Sequence, residues 1–216
     1  MFATRRTILL STGLLATGAT ALLSACQQGD ATASNSSDMT IGGANARVHL
    51  IEYASVTCSH CREFHETVWP RLRENYIDNN RIKFTFREFP TPPAPVAVAG
   101  FQLARCGGAD AQTYFTRIEV LFTQQQNILG SGSMQGVRDA LIDIGRAAGL
   151  SEEQVATCIS DQAAPARIQA VVQEGMDRFN ISGTPSFVLN DRPLTDPSVV
   201  TYEGLSAALD TALAAR

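Results

Sequence analysis

The apolar positions of this chain change period several times, and each change marks an element. Residues 47–54 (RVHLIEYA) crowd Val48, Leu50, Ile51 and Tyr53 together, the pattern of a buried strand. From about 59 to 76, Cys61, Phe64, Val68, Leu72 and Tyr76 recur at helical spacing, which predicts a helix with one apolar face. Pro70 lies inside that helix and is expected to kink it, because proline brings no N–H and its ring clashes with the preceding turn. Residues 81–89 then alternate Ile82, Phe84 and Phe86 against Arg81, Lys83, Thr85 and Arg87, which predicts a second strand of period two.

The long middle, about 93–179, carries no strand pattern. It breaks into helices at Gly107-Gly108, at Gly130-Ser131-Gly132 and at Gly149, and Ser151 with Gln154 three residues on forms a capping box. Tyr114, Phe115, Ile118, Leu121 and Phe122 make one apolar stripe, and Leu141 and Ile142 contribute to another. Residues 186–189 and 192–194 flank Asn190-Asp191, two residue types that tolerate the left-handed backbone of a tight hairpin turn. Residues 202–215 close the chain as a helix with Leu205, Leu209 and Leu213 on one face. Strand–helix–strand, helical insertion, hairpin and helix together predict an α/β architecture. In it a mixed central sheet is flanked by helices, and an all-helical subdomain sits over the sheet edge. No internal repeat is found.

The N-terminus reads as an export address rather than as part of this fold. Arg5 and Arg6 precede a weakly apolar, Thr/Gly-rich run from Ile8 to Leu23, short for a membrane span. Thr4-Arg5-Arg6-Thr7-Ile8-Leu9 is similar to a twin-arginine signal, with a simple two-charge start for the general export route as the alternative. Leu23-Ser24-Ala25-Cys26 resembles a bacterial lipobox, which would make Cys26 a lipidated N-terminus; the alternative is ordinary cleavage after Ala31-Thr32-Ala33. The expected division is therefore a signal peptide over 1–25, a flexible polar tether over 26–38 and one folded domain over 39–216. A periplasmic location on a lipid anchor follows from this reading, and that compartment is oxidising.

Composition narrows the chemistry only a little. The chain has 216 residues and a formal net charge of −4, and no Lys/Arg stripe appears, so nucleic-acid binding is set aside.

The cysteines say more. Cys58-Ser59-His60-Cys61 follows the first strand and opens the first helix, so a dithiol sits where a helix N-terminus favours a negative charge. A free cysteine is mostly protonated at neutral pH, and the thiolate is the nucleophile. Cys58 is therefore the expected attacking sulfur and Cys61, one turn in and more buried, the resolving one. His60 lies between them, where a protonated or hydrogen-bonding imidazole would stabilise the thiolate further. Stabilising the thiolate favours the dithiol and makes the disulfide form the stronger oxidant. A CxxC pair also serves haem, copper and zinc, but Arg62 stands where haem attachment needs His. His49, His60 and His65 supply no second ligand pair, so no metal is expected. Of the five cysteines, four remain if Cys26 carries lipid, and four allow three connectivities. The Cys58–Cys61 pair is local, which leaves Cys106 and Cys158 for each other. Far downstream, Thr184-Pro185 enters the apolar strand at 186, and a cis-proline there would expose Thr184 backbone groups beside the dithiol.

These motifs together resemble the DsbA-like thiol:disulfide oxidoreductases of the thioredoxin superfamily. The resemblance rests on Thr57-Cys58-Ser59-His60-Cys61, Gly183-Thr184-Pro185-Ser186-Phe187, Arg87-Glu88-Phe89-Pro90 and Leu103-Ala104-Arg105-Cys106, and it covers residues 39–216. It implies a thioredoxin fold with an inserted helical domain. It also implies oxidation of exported protein thiols, regeneration by a membrane oxidant of DsbB type, and no bound cofactor. By the same resemblance Cys58 is the nucleophile, Pro185 the cis-proline, and Glu52 a buried acid assisting proton transfer at the buried sulfur. Ser59 replaces the proline most members carry, which bears on the redox potential. A Cys106–Cys158 bridge closes a loop of roughly fifty residues, worth about 4 kcal/mol by the chain-entropy model. A disulfide isomerase or reductase is the runner-up, weakened because isomerases of the superfamily usually add a dimerisation domain and none fits between Cys26 and Met39; a monomer is expected. A tethered metal-binding thiol protein is the third reading.

Overall fold

The computed structural model describes residues 38–215; the signal segment, Cys26 and residues 27–37 of the tether lie outside the described residues. The chain begins with β1 (Met39–Gly42) and β2 (His49–Ala54), then α1 (Ser59–Thr67), α2 (Trp69–Leu72), a π-helical turn (Arg73–Ile77) and β3 (Lys83–Glu88). Six helices follow: α3 (Ala94–Arg105), α4 (Ala111–Thr123), α5 (Gln125–Gly130), α6 (Met134–Ala147), α7 (Glu152–Ile159) and α8 (Ala164–Phe179). The hairpin β4 (Ser186–Leu189) and β5 (Arg192–Leu194), a 3₁₀ turn (Pro197–Val200) and α9 (Tyr202–Ala214) complete it. The strands lie in the order β1-β3-β2-β4-β5, with β2 and β3 parallel and every other pair antiparallel.

Local chemistry accounts for most boundaries. α1 stops at Thr67 and Pro70 enters the second position of α2, so the expected helix is broken into pieces rather than merely bent. The next turn widens, with Asp78 N–H bonding Arg73 C=O. Ser151 and Gln154 form both halves of a capping box at α7. Asn190 and Asp191 adopt φ of 47° and 62°, the backbone a tight hairpin turn needs.

Two strands depart from expectation. β1 carries no long apolar pattern and is not visible in the sequence; it is an edge strand set by antiparallel pairing to β3. In β3 the polar half of the alternation is not solvated: Thr85 and Arg87 are as buried as Phe84 and Phe86. The reason is that both sheet faces are covered. One carries Leu50, Ala54, Phe84 and Phe86 under α1, α3 and α4, and the other carries Ile51, Tyr53 and Val188 under Val171 and Phe179 of α8. The insertion therefore does more than sit over an edge. Gly175 lets α8 pass close to the Tyr53 ring, where a Cβ would come within 2.8 Å of it. Arg87 is tolerated on that face because it pairs with Asp38 and Glu174 and donates to the Tyr53 hydroxyl. On the opposite side of the strand end, Glu88 holds Arg105 of α3, Arg167 of α8 and the Tyr114 hydroxyl of α4, fastening the insertion to the sheet.

Candidate active site: a dithiol where a helix begins

β2 is the central strand, and the loop leaving it delivers Cys58 as the residue capping α1. Ser55, Thr57 and Thr91 hold this loop through their hydroxyls, with Ser55 Oγ to Thr57 Oγ1 at 2.9 Å and Thr57 Oγ1 donating to Thr91 C=O at 2.9 Å. β4 runs antiparallel beside β2, and the pairing of Tyr53 with Ser186 places Pro185 next to the point where the dithiol emerges. The Thr184–Pro185 peptide is cis, and the Cys58 thiol donates to Thr184 C=O at 3.4 Å. Sequence separation of 126 residues is closed by this one register.

Both cysteines are free thiols, Cys58 partly exposed and Cys61 fully buried. Their acidities are driven apart. Cys58 is lowered to about 5, chiefly by the hydrogen bond from the Cys61 side chain, then by Thr184 and by the backbone N–H groups of Cys61 and His60. A thiol in the capping position makes no cap bond, but a thiolate there accepts the unpaired N–H groups of the first turn. Cys61 is pushed far up, first by burial, then by its hydrogen bond to Cys58 and by the nearby Glu52 carboxylate. Thr184 Oγ1 is buried without a hydrogen-bond partner of good geometry, and its hydroxyl, lying beside the dithiol, lowers both sulfurs.

Ser59 is exposed at the first position of α1. His60 acts on Cys58 through its backbone N–H, whereas the expectation invoked its imidazole, which is exposed. Exposure explains the difference: a ring facing water does not hold the fixed contact that an amide in the helix's first turn provides. Glu52 is fully buried on the central strand and pairs with His65. Beside the dithiol runs a groove of about 620 Å³ lined by His60, Glu63, Phe64, Val68, Arg71, Thr184, Pro185 and Tyr202 among others. Cys106 and Cys158 form a disulfide with Cα atoms 5.5 Å apart, joining the end of α3 to α7. Among the described residues no group of three His, Cys, Asp or Glu side chains is placed to hold a metal ion.

Two residues escaped the sequence reading. Gln125, buried at the start of α5, donates its amide to the carbonyls of Val56 and Cys58, each at 2.9 Å. His65 was weighed only as a metal ligand. One Gln in the polar run Thr123-Gln124-Gln125-Gln126-Asn127 carries no local signal, whereas the four-residue spacing of Cys61 and His65 marks the histidine as a neighbour of the buried sulfur.

A central strand feeding a helix capped by a dithiol, with a cis-proline across from it, defines a thioredoxin-fold protein of the thiol–disulfide class. Residues 34–211 match the thioredoxin family model, and the chain belongs to the thioredoxin family. Among curated proteins it is 31% identical over 176 residues to a Rickettsia bellii protein named "Putative protein-disulfide oxidoreductase" and 32% identical over 176 residues to its Rickettsia conorii counterpart. The alignments take in 82% of this chain but 64% and 60% of those relatives, so the chain spans less than two thirds of their length. Among solved structures, Wolbachia pipientis alpha-DsbA1 superposes with a TM-score of 0.69 at 25% identity, over 83% of this chain and 92% of that one. Bacillus subtilis BdbD gives 0.69 at 17% identity, over 82% and 94%, a likeness of fold.

Proposed function

We propose that this protein is a thiol:disulfide oxidoreductase that introduces disulfide bonds into exported proteins, working from the periplasmic side of a bacterial membrane. The observation that carries the reading is the placement of the dithiol: Cys58 is partly exposed as the cap of α1 against the cis Thr184–Pro185 peptide and Cys61 is buried one turn in, an arrangement that drives their acidities apart. A substrate thiolate attacks Cys58, because Cys61 is sealed from solvent. The Cys58–Cys61 bond breaks and its electron pair leaves on Cys61, which takes up a proton. The second substrate thiolate then attacks the substrate sulfur of the mixed disulfide. Cys58 departs as a thiolate, a fast leaving group because it is stabilised. Substrate is oxidised by two electrons, the dithiol remains, and a membrane oxidant of DsbB type restores the disulfide.

The names of the Rickettsia relatives support the exchange chemistry. The Arg5-Arg6 signal and the lipidation of Cys26 belong to the same proposal and rest on sequence. The test mixes the oxidised protein with a reduced, unfolded polypeptide bearing several cysteines. Loss of substrate thiols matched one-for-one by new thiols at Cys58 and Cys61 is expected. Rearrangement of scrambled disulfides without net oxidation would instead favour an isomerase, and stoichiometric metal on the dithiol form without turnover would favour a metal-binding thiol protein.

A further inference from the structure

The exchange reaction leaves one buried group unexplained. Glu52 lies on the face of β2 that carries Leu50 and Ala54, toward Cys61 and Phe64 of α1. It is fully buried, and among the described residues the side chain that pairs with it is His65, whose Nε2 lies 3.0 and 3.2 Å from its two oxygens. His65 follows Cys61 by four residues on the same helix face. Its ring stacks on Phe122 of α4 at 4.1 Å between centroids, with Trp69, Phe64 and Phe86 around it. Its other nitrogen, Nδ1, is buried and has no partner.

That last atom decides the ring's chemistry. A proton on Nδ1 would be a buried donor with nothing to receive it, on a buried cation, whereas a bare Nδ1 costs only an unpaired acceptor. The enclosure therefore favours a neutral imidazole whose one N–H, at Nε2, points at Glu52. The elements packed against the pair bring no competing charge in contact: β3 presents Phe86, β4 pairs Phe187 against Glu52, and α4 presents Phe122. The charged groups beyond Trp69, Glu119 and Arg73, pair with each other, and Glu119 also accepts the indole N–H. Cys61 and Cys58 are the remaining titratable neighbours.

We propose, on the basis of the exchange reaction above, that His65 is a positioning residue: as a tautomer-fixed Nε2–H donor it holds the Glu52 carboxylate ready to take the Cys61 proton when the disulfide closes and to return it when the disulfide opens. In closing, the Cys58 thiolate has already attacked a disulfide oxidant and formed a mixed disulfide. The Cys61 S–H bond breaks, and its proton passes to Glu52. The sulfur's electron pair forms the bond to Cys58, and the bond between Cys58 and the oxidant breaks with its electrons on the departing thiolate. With Cys61 sealed from water, the acceptor must come from the protein. Without the Nε2–H, the buried carboxylate would lose the donor that holds it in place beside Cys61.

The reduced protein mixed rapidly with excess oxidised glutathione and quenched in acid separates two steps by mass: glutathione joining Cys58, and its release as Cys61 closes the ring. A general base is worth about 10²–10⁴ in rate. His65→Phe keeps the stack but removes the donor. It should slow closing at pH 7 by roughly tenfold or more, with the rate recovering only at higher pH, while His65→Gln, which retains an N–H, regains part of the loss. Closing at the unaltered rate and with the unaltered pH profile in His65→Phe would overturn the proposal, and glutathione still joining Cys58 would leave the exchange reading standing. Absence of any mixed disulfide in the unaltered protein would sink that reading itself. Nitrogen NMR of the unaltered protein decides the matter even if the variants do not fold. Nε2 protonated and Nδ1 bare at pH 7 in both redox forms is expected, and an imidazolium in either form contradicts it.

Discussion

The lowered pKa of Cys58 couples the redox centre to the stability of the fold, and the coupling has a definite sign. Replacing Cys58 with Ser removes the titrating sulfur and leaves every other group in place. In the reduced protein Cys58 titrates near 5, against 9.0 for an ordinary thiol. A depressed value means that the thiolate's contribution is complete above about pH 9, shrinks as pH falls and is gone below about pH 5. Each pH unit inside that window is worth about 1.4 kcal/mol, so at pH 7 the interval from 5 contributes about 2.7 kcal/mol. Cys58 is partly exposed, and solvent screening reduces this to roughly 1–1.5 kcal/mol. Urea unfolding of reduced protein and reduced Cys58→Ser, run at pH 5, 6, 7 and 8, gives the difference at each pH. Other ionisable groups, the buried His49 included, cancel because both proteins carry them. The expected difference grows steadily with pH in favour of Cys58. A flat difference would refute the reasoning, because it would mean that the folded chain does not stabilise the anion.

Three further outcomes follow from the same contacts. Thr184→Val removes the hydroxyl that serves both sulfurs and should move the Cys58 titration, read by thiolate absorbance near 240 nm, upward by roughly one pH unit; no movement would exclude the hydroxyl. Gln125→Leu takes the side-chain donor from the buried Val56 carbonyl, while Cys58 C=O keeps the Arg62 N–H, and should destabilise the fold by about 1–3 kcal/mol in urea unfolding; an unchanged midpoint would show that the clamp is dispensable. Replacing both Cys106 and Cys158 with Ala should cost up to about 4 kcal/mol by the loop-entropy model, while glutathione still joins Cys58 at its former rate; a large change in that rate would tie the bridge to the redox centre.

How far the sequence led differs from one part of the chain to another. The dithiol, its place at the first turn of α1, the Cys106–Cys158 pairing and the Asn190-Asp191 turn were legible because each rests on chemistry confined to a few residues. The arrangement around them was not. β1 is a strand only because β3 lies beside it. The alternation that places Arg87 opposite Phe84 and Phe86 reports polarity, not what a helix 87 residues later will cover. His60 lies two residues from Cys58, but side chains two apart at a helix start do not face each other, and its amide is what reaches the sulfur. Gln125 and His65 act across the junction of sheet and insertion, and no local pattern encodes that junction.

The central claim is that anchoring one sulfur as an anion at the start of α1 stabilises the dithiol over the disulfide and so makes the disulfide form an oxidant. Equilibration of the Cys58–Cys61 pair with glutathione buffers at pH 7, followed by mass analysis of the alkylated protein, measures that balance directly. A potential well above thioredoxin's roughly −270 mV is expected. A value at or below it would contradict the account.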